Sequence, residues 1–322
     1  MEPFREWEVG QDGGSKIAPR RPNPVPAARI SYGPRPQQFC DLRLPPSGAG
    51  GRALPVAVFV HGGAWKSSWS LDLADAMADD LAHRGWATWN MEYARCGHID
   101  NDYEHDEGGA YPGTLLDVAA GLDALADRAA PDRLDLTKVV VIGHSSGGHL
   151  ALWLAQAHRS ALLQAHGVQC RVVPSLVVAQ AGAADLAERW ADKAMFGGNP
   201  AQGGSLLERN AVEVLMGGTP ATAAEAYRLA SPAALLPLGV PTLLVQARHD
   251  LDVPVGTVLA FAARAAEAGD RVETMIFEEE ELASDVPGHF SVITPSLADE
   301  GGWPRQVAAI ESIVSEHPQA RL

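Results

Sequence analysis

The chain has 322 residues, 46% of them hydrophobic and 20% charged, with a formal charge of −15 at neutral pH. These proportions describe a globular protein with apolar material for one large core or two ordinary ones. The negative charge argues against nucleic acid and anionic membrane as partners, since both are bound through basic patches, and no apolar run reaches the ~20 residues of a membrane span.

Residues 1–30 are rich in Gly, Pro and charge and read as an N-terminal arm ahead of a domain at 31–322. The opening stretch MEPFREWEVGQDGG lacks the apolar core of a signal peptide. Cys40, Cys96 and Cys170 are scattered and odd in number, a pattern of reduced thiols, and the two observations together predict a cytoplasmic protein. No internal repeat is visible. Apolar runs at 56–63, 86–93, 139–145, 175–182, 241–247 and 272–278 read as strands, most of them apolar almost throughout, as strands covered on both faces are. Helical periodicity fills 71–84, 114–128, 147–158, 256–268 and 304–316. Strand–helix alternation over this length predicts an α/β fold with a mostly parallel central sheet flanked by helices. One connection, 185–236, is far longer than a crossover needs and carries helical patches broken by Gly and Pro. It predicts a helical insertion that leaves the carboxyl end of a strand, where ligands bind in such folds, and so forms a lid or pocket wall.

The stretch VVVIGHSSGGHLALWLA (139–155) sets Gly143-His144-Ser145-Ser146-Gly147 between a strand and a helix, the context that G-x-S-x-G demands. So sharp a turn forces its middle residue into an unfavourable backbone conformation and needs small residues two before and two after. It also lifts the Ser145 hydroxyl clear of the sheet at a helix N-terminus. His61-Gly62-Gly63-Ala64-Trp65 directly follows the strand at 56–60, and its glycines let backbone N–H groups turn inward. The N–H groups of Gly63, Ala64 and Ser146 would then form an oxyanion hole. Each motif alone also reads as an ordinary glycine turn; the pair favours catalysis. A serine hydroxyl needs a base, and the base an orienting carboxylate, in the chain order Ser, acid, His. PTLLVQARHDLDVP offers Asp250 and Asp252 after a strand, and VPGHFSVI offers His289 after the last one. His249 precedes its acid and His317 lies at the chain end, so both are weaker candidates for the base.

The motifs H-G-G-A-W, G-H-S-S-G-G-H-L-A, D-x-x-V-P and a late G-H-F resemble those of the α/β-hydrolase superfamily. More narrowly they resemble its esterase and arylformamidase (kynurenine formamidase)-like branch. ISYGPRPQQFCDLRLP (30–45) and YRLASPAALLPLGVPTLLVQARHD (227–250) are similar to segments of the same branch, so that the resemblance covers roughly 30–316. It implies the α/β-hydrolase fold and an activity on a carboxylic ester or aryl-amide bond. It also implies that Asp250, first residue of D-x-x-V-P, is the acid and Asp252 its neighbour.

Two segments depart from that pattern. ARCGHIDNDYEHDEGGAYPGT (94–114) is longer and more acidic, and contains His98, Asp100, Asp102, His105, Asp106 and Glu107. Those residue types hold divalent cations, but their spacing fits no cation-site pattern, and a solvated loop is expected. EEEELASDVPGHF (278–290) puts Glu278–Glu281 close to His289, where negative potential favours a protonated imidazole. Trp65, Trp69, Tyr93, Tyr111, Trp190 and Phe196 belong to segments that should meet at the carboxyl edge of the sheet. Core packing is their default explanation. Trp65, Tyr111, Trp190 and Phe196 stand as candidates for contacting substrate, the last two foremost because they lie in the insertion, whereas Trp65 has the alternative of only bracing the oxyanion turn. The expected protein is a serine hydrolase for a small-molecule ester or amide, needing no cofactor and no metal, with a homodimer left open. Two alternatives remain: an acyltransferase that passes the same acyl-enzyme to an alcohol or amine, and a non-hydrolytic ligand receptor on the same scaffold.

Overall fold

Val56, Val58 and Val60 enter one apolar layer and Ala57 and Phe59 the other, all at 0–1% exposure. A strand covered on both faces sits inside a sheet with helices on each side. The computed structural model describes residue 25 and residues 27–48, 50–97, 106–192, 210–282, 288–294 and 302–316. Eight strands form one sheet: β1 (Ala28–Ser31), β2 (Phe39–Arg43), β3 (Leu54–Val60), β4 (Ala87–Met91), β5 (Leu134–His144), β6 (Leu176–Gln180), β7 (Thr242–Ala247) and β8 (Val272–Phe277). Their order is β1-β2-β4-β3-β5-β6-β7-β8. The β1–β2 and β2–β4 pairs are antiparallel and every other pair is parallel.

The helices are α1 (Asp75–His83), α2 (Gly113–Asp123), α3 (Leu125–Arg128), α4 (Ser146–Leu154), α5 (Ala161–Ala165), α6 (Leu186–Ala191), α7 (Ala211–Met216), α8 (Ala224–Ala230), α9 (Val255–Glu267) and α10 (Gly302–Glu316). One layer takes Met77 and Leu81 of α1 with Trp303, Val307 and Ile310 of α10. The other takes Leu115 and Leu122 of α2, Leu150 and Trp153 of α4, and Val258 and Phe261 of α9. Full burial of each such side chain contributes about 1.5–3 kcal/mol. No described helix is long and apolar enough to cross a membrane.

Each strand expected from an apolar run is present, and β5 extends back to Leu134. Periodicity did not reveal β1 and β2. In β2 the residues Asp41 and Arg43 alternate with Cys40 and Leu42, and the polar pair is matched by Arg29 and Asp75 rather than by apolar neighbours. The sheet therefore begins at Ala28, within the stretch that reads as an arm. Between β6 and β7 the described chain forms α6, α7 and α8. Phe196, His98, Asp100, Asp102, His105 and His317 lie outside the described residues.

Candidate active site

The chain leaves β5 at His144 and enters α4 at Ser146, and between them Ser145 has φ 55° and ψ −118°. A non-glycine residue there carries roughly 1–3 kcal/mol of strain and persists only where its surroundings dictate it. Here the Ser145 N–H donates to the Gln180 carbonyl at 2.8 Å, and the Ser145 carbonyl accepts from His149 N–H at 3.1 Å. The flanking glycines are obligatory for a second reason, close approach. A methyl group on Gly143 would lie 2.1 Å from the Gly147 carbonyl oxygen, and one on Gly147 would lie 2.0 Å from that of Val60.

β3 ends at Val60, and the His61–Trp65 turn runs alongside the serine. A methyl group on Gly62 would sit 3.2 Å from the Ser145 Cβ. Gly63, Ala64 and Trp65 all have positive φ, at 113°, 53° and 58°. Among the described residues no backbone carbonyl accepts from the N–H of Gly63 or Ala64. A buried carboxylate holds the turn from behind. Glu92 lies 2.8 Å from His61 Nε2 through Oε1, which also accepts the Tyr93 N–H at 3.0 Å, while its Oε2 accepts the Leu71 N–H at 3.2 Å. Burial pushes the Glu92 carboxyl up, but the charge and hydrogen bond of His61, followed by Arg95 and the Tyr93 N–H, outweigh it and leave the group below its ordinary value.

Trp65 is buried, at 1% exposure, which fits the alternative of a brace for the oxyanion turn better than that of a substrate contact. Its Nε1–H donates to His149 Nδ1 at 3.2 Å, and His149 Nε2–H donates to the Ala230 carbonyl at 2.9 Å. The indole thus braces the glycine turn against α4 and α8. Burial pushes the His149 imidazole down to about 4, so it stays neutral, with one nitrogen accepting and the other donating.

Asp250 follows β7 directly, and His289 lies on a 3-10 segment, Gly288–Ile293. His289 Nδ1–H donates to Asp250 Oδ2 at 2.8 Å, with both side chains buried. Gln246 Nε2 donates to the same oxygen at 2.8 Å, and the N–H groups of Asp252 and Val253 donate to Oδ1 at 2.7 and 2.9 Å. Burial raises the Asp250 carboxyl, yet the hydrogen bond and charge of His289, with the Val253 N–H and Gln246, hold it below its ordinary value. It is an ionised carboxylate with every donor aimed at it. Asp252 is exposed and meets the pair only at its edge, its carboxylate within 4.8 Å of the ligand atoms of Asp250 and His289.

His144 joins the two halves. Its Nε2–H donates to the His289 carbonyl at 2.9 Å, and its ring centroid lies 4.7 Å from that of His289 and 5.4 Å from that of Phe290. Phe290 in turn stacks on Trp69 at 5.9 Å, beneath Gly63. Burial, then the neighbouring His289, pushes His144 down to about 3, so it too is neutral.

The structure thus brings Ser145, the 61–65 turn, Asp250 and His289 to one place. Trp190 and Tyr111 both bond to α7: Trp190 Nε1–H donates to Glu213 at 3.1 Å, and Tyr111 N–H donates to the Leu215 carbonyl at 2.7 Å. Asp106 accepts from Arg95 and Gln37, which makes it a loop anchor. Glu278 and Glu281 pair with Arg248 and Arg305, so part of the acidic run's charge is compensated. Beside the serine turn, whose Ser145 carbonyl accepts the Ala183 N–H at 3.4 Å, a small cleft open to solvent is lined by Ala183, Asp185, Glu188, Arg189, Asp192 and Val253 among others. Sequence reasoning missed Glu92, Gln246, His144 and His149. His144 and His149 carried a signal, their places inside the motif G-H-S-S-G-G-H-L-A.

A strained serine between a parallel strand and a buried helix, with an acid–histidine pair delivered by later strands, defines the class as an α/β hydrolase. The BD-FAE family, of α/β-hydrolase-type esterase domains, matches residues 40–264, and the chain belongs to it. Esterase B from Lactobacillus rhamnosis, solved with a tributyrin phosphonate inhibitor, is 19% identical with a TM-score of 0.71, over 92% of this chain and 89% of that one. A carbohydrate esterase from gut microbiota is 15% identical with a TM-score of 0.68, over 94% and 99% of the two chains. The esterase Est2 from Thermogutta terrifontis is 17% identical with a TM-score of 0.62, over 90% and 92%. These likenesses are of fold. A curated relative, the non-reducing polyketide synthase atr1 of Stereocaulon alpinum, is 30% identical over 124 residues, 36% of this chain. The chain spans about 5% of that protein's length.

Proposed function

We propose that the protein hydrolyses small carboxylic esters through an acyl-enzyme on Ser145. One observation carries the reading. A serine held at φ 55° directly follows His144, whose ring lies 4.7 Å from that of a buried histidine, His289, and the Nδ1–H of His289 is fixed 2.8 Å from an ionised aspartate. With Nδ1 occupied, His289 offers Nε2 to the serine. As the Ser145 Oγ–H proton passes to Nε2, Oγ attacks the acyl carbon, and the carbonyl oxygen gains charge that the N–H groups of Gly63, Ala64 and Ser146 receive. Each such donor is typically worth ~3 kcal/mol in the transition state. Collapse breaks the ester bond, and the departing alkoxide takes the proton from His289. Water then repeats both steps on the acyl-enzyme. Asp250 remains ionised and stabilises the imidazolium formed at each stage.

Short acyl groups fit this reading best, since the turn at 61–65 closes directly over the serine, and the tributyrin phosphonate and butyrate complexes of the structural neighbours support it. The chain's formal charge of −15 favours neutral or cationic leaving groups over anionic ones, although at the cleft itself Asp185 pairs with Arg264 and Asp192 with Arg189. The narrower expectation of aryl-amide or formamide cleavage belongs in the same substrate screen. The test is labelling with a fluorophosphonate, peptide mapping of the modified residue, and assay of aryl butyrates of matched neutral, cationic and anionic charge. Labelling of Ser145 with turnover of the neutral and cationic esters is expected. Turnover that persists in Ser145→Ala would overturn the assignment, and a salt-independent preference for the anionic ester would overturn the charge argument.

A further inference from the structure

The mechanism above leaves the side chain of His144 unused, although it directly precedes the serine. It is a buried imidazole whose Nε2–H reaches a carbonyl 145 positions away in sequence, that of His289. Its other nitrogen, Nδ1, is buried without a hydrogen-bond partner among the described residues and faces the Gly62 backbone, where an added methyl would come within 2.8 Å. Only one tautomer suits this setting. A proton on Nδ1 would be driven against the glycine turn and would leave a lone pair facing the His289 carbonyl.

His289 needs such a hold. Its ring is fixed at Nδ1 by Asp250, but a ring fixed at one atom still pivots about that hydrogen bond if its main chain shifts. The main chain here is a 3-10 segment of six residues. On it, Gln306 reaches the Val292 carbonyl and Ser291 caps Gly288, whereas the peptide of His289 itself is held through its carbonyl by His144. We propose that His144 is a positioning residue for the base: the dipeptide that carries the nucleophile also anchors the backbone of the histidine that deprotonates it. This rests on the assignment of Ser145 and His289 as nucleophile and base. The residue after G in G-x-S-x-G is thereby given a stated task, the donation of an N–H at the reach of an imidazole, while its ring lies against those of His289 and Phe290.

A misplacement near 1 Å in a catalytic group costs as much as 10²-fold in rate. His144→Phe keeps the ring and removes the donor. It should lower kcat on the order of 10- to 100-fold while KM changes less than about threefold. His144→Gln, which restores an N–H donor without the ring, should recover most of that loss. Equal impairment of the two variants, or a His144→Phe enzyme as active as wild type, would overturn the proposal. Ring-nitrogen NMR of the wild-type protein supplies a test independent of how the variants fold: His144 should carry its proton on Nε2 at neutral pH, and an Nδ1–H tautomer would refute the anchor. Fluorophosphonate labelling of wild type tells the two failures apart. Labelling of Ser145 with indifferent His144 variants removes only the anchor, whereas absence of labelling removes the underlying assignment.

Discussion

Gln246 and His289 donate to the same oxygen of Asp250, each from 2.8 Å. The other oxygen is filled by two backbone N–H groups. An asparagine at this position must turn its NH2 toward donors whichever way it faces. Asp250→Asn should therefore depress kcat heavily, toward the ~10⁴-fold seen for the equivalent change in the serine-protease prototype. Asp252→Asn removes an exposed group with no place in that cage, and should cost less than about threefold. Steady-state kinetics of the two variants decide the matter; equal losses would show the acid to be misassigned.

Ser145 combines the reactive hydroxyl with a strained backbone, so its replacements separate the two. Ser145→Ala should lose turnover and keep the strain. Ser145→Gly should lose turnover and gain about 1 kcal/mol over the alanine variant, because glycine accepts positive φ without steric cost. Ser146→Ala should retain most activity, since its proposed contribution is a backbone N–H. Urea melts and ester assays on the three variants test this. An alanine variant more stable than the glycine variant would contradict the strain at φ 55°.

Much of this arrangement was legible in the chain because its strands are apolar on both faces and its motifs are local. G-x-S-x-G and H-G-G are short, and the conformation each imposes follows from its glycines alone. The order serine, acid, histidine followed from the succession of strands, and the preference for Asp250 over Asp252 from the resemblance of D-x-x-V-P to the family's motif. What stayed hidden has a physical reason in each case. Glu92 directly follows β4, and its donors are His61 and Leu71 from two distant segments with Tyr93 and Arg95 just after it, a grouping that no local pattern announces. Gln246 lies inside β7 and reads as a break in an apolar run. Trp65 stood among the substrate candidates as well as a brace because sequence does not reveal that a histidine one turn into a later helix accepts its N–H. The antiparallel β1 and β2 were missed because their alternation is satisfied by ion pairs, which carry no hydropathy.

His149 makes stability depend on pH. Its ordinary value is near 6.5 and burial brings it to about 4 in the folded protein. Between those two values the unfolded chain binds the proton and the native protein does not, so stability is full above pH 6.5 and is lost as pH falls toward 4. The contribution is on the order of 3 kcal/mol. His149→Gln keeps both an acceptor for Trp65 and a donor for Ala230 without titrating. Its urea midpoint should change less between pH 7 and pH 4.5 than that of wild type, and an equal slope would exclude His149 as the source.

Chelation should leave hydrolysis unchanged. Among the described residues Asp250, Asp252 and His289 form the one group with ligand atoms close enough for a cation, but both Asp250 oxygens are already filled by N–H donors. Incubation with EDTA followed by assay on an aryl butyrate is the measurement. A loss that one divalent ion restores would mean that this group, or the acidic loop before α2, carries a metal.

The hydrogen bonds that assemble the site close long loops: 39 residues between Asp250 and His289, 145 between His144 and His289. Contacts of such separation form late, because chain entropy must be overcome before they reward it. Catalysis is therefore a clock for the last stage of folding, not for the first. During refolding from urea, far-UV ellipticity from the locally built helices should return before esterase activity does, with the lag set by docking of the Gly288–Ile293 segment onto the β5 turn. Simultaneous recovery of both signals would mean that these two long-range contacts form together with the helices in a single step.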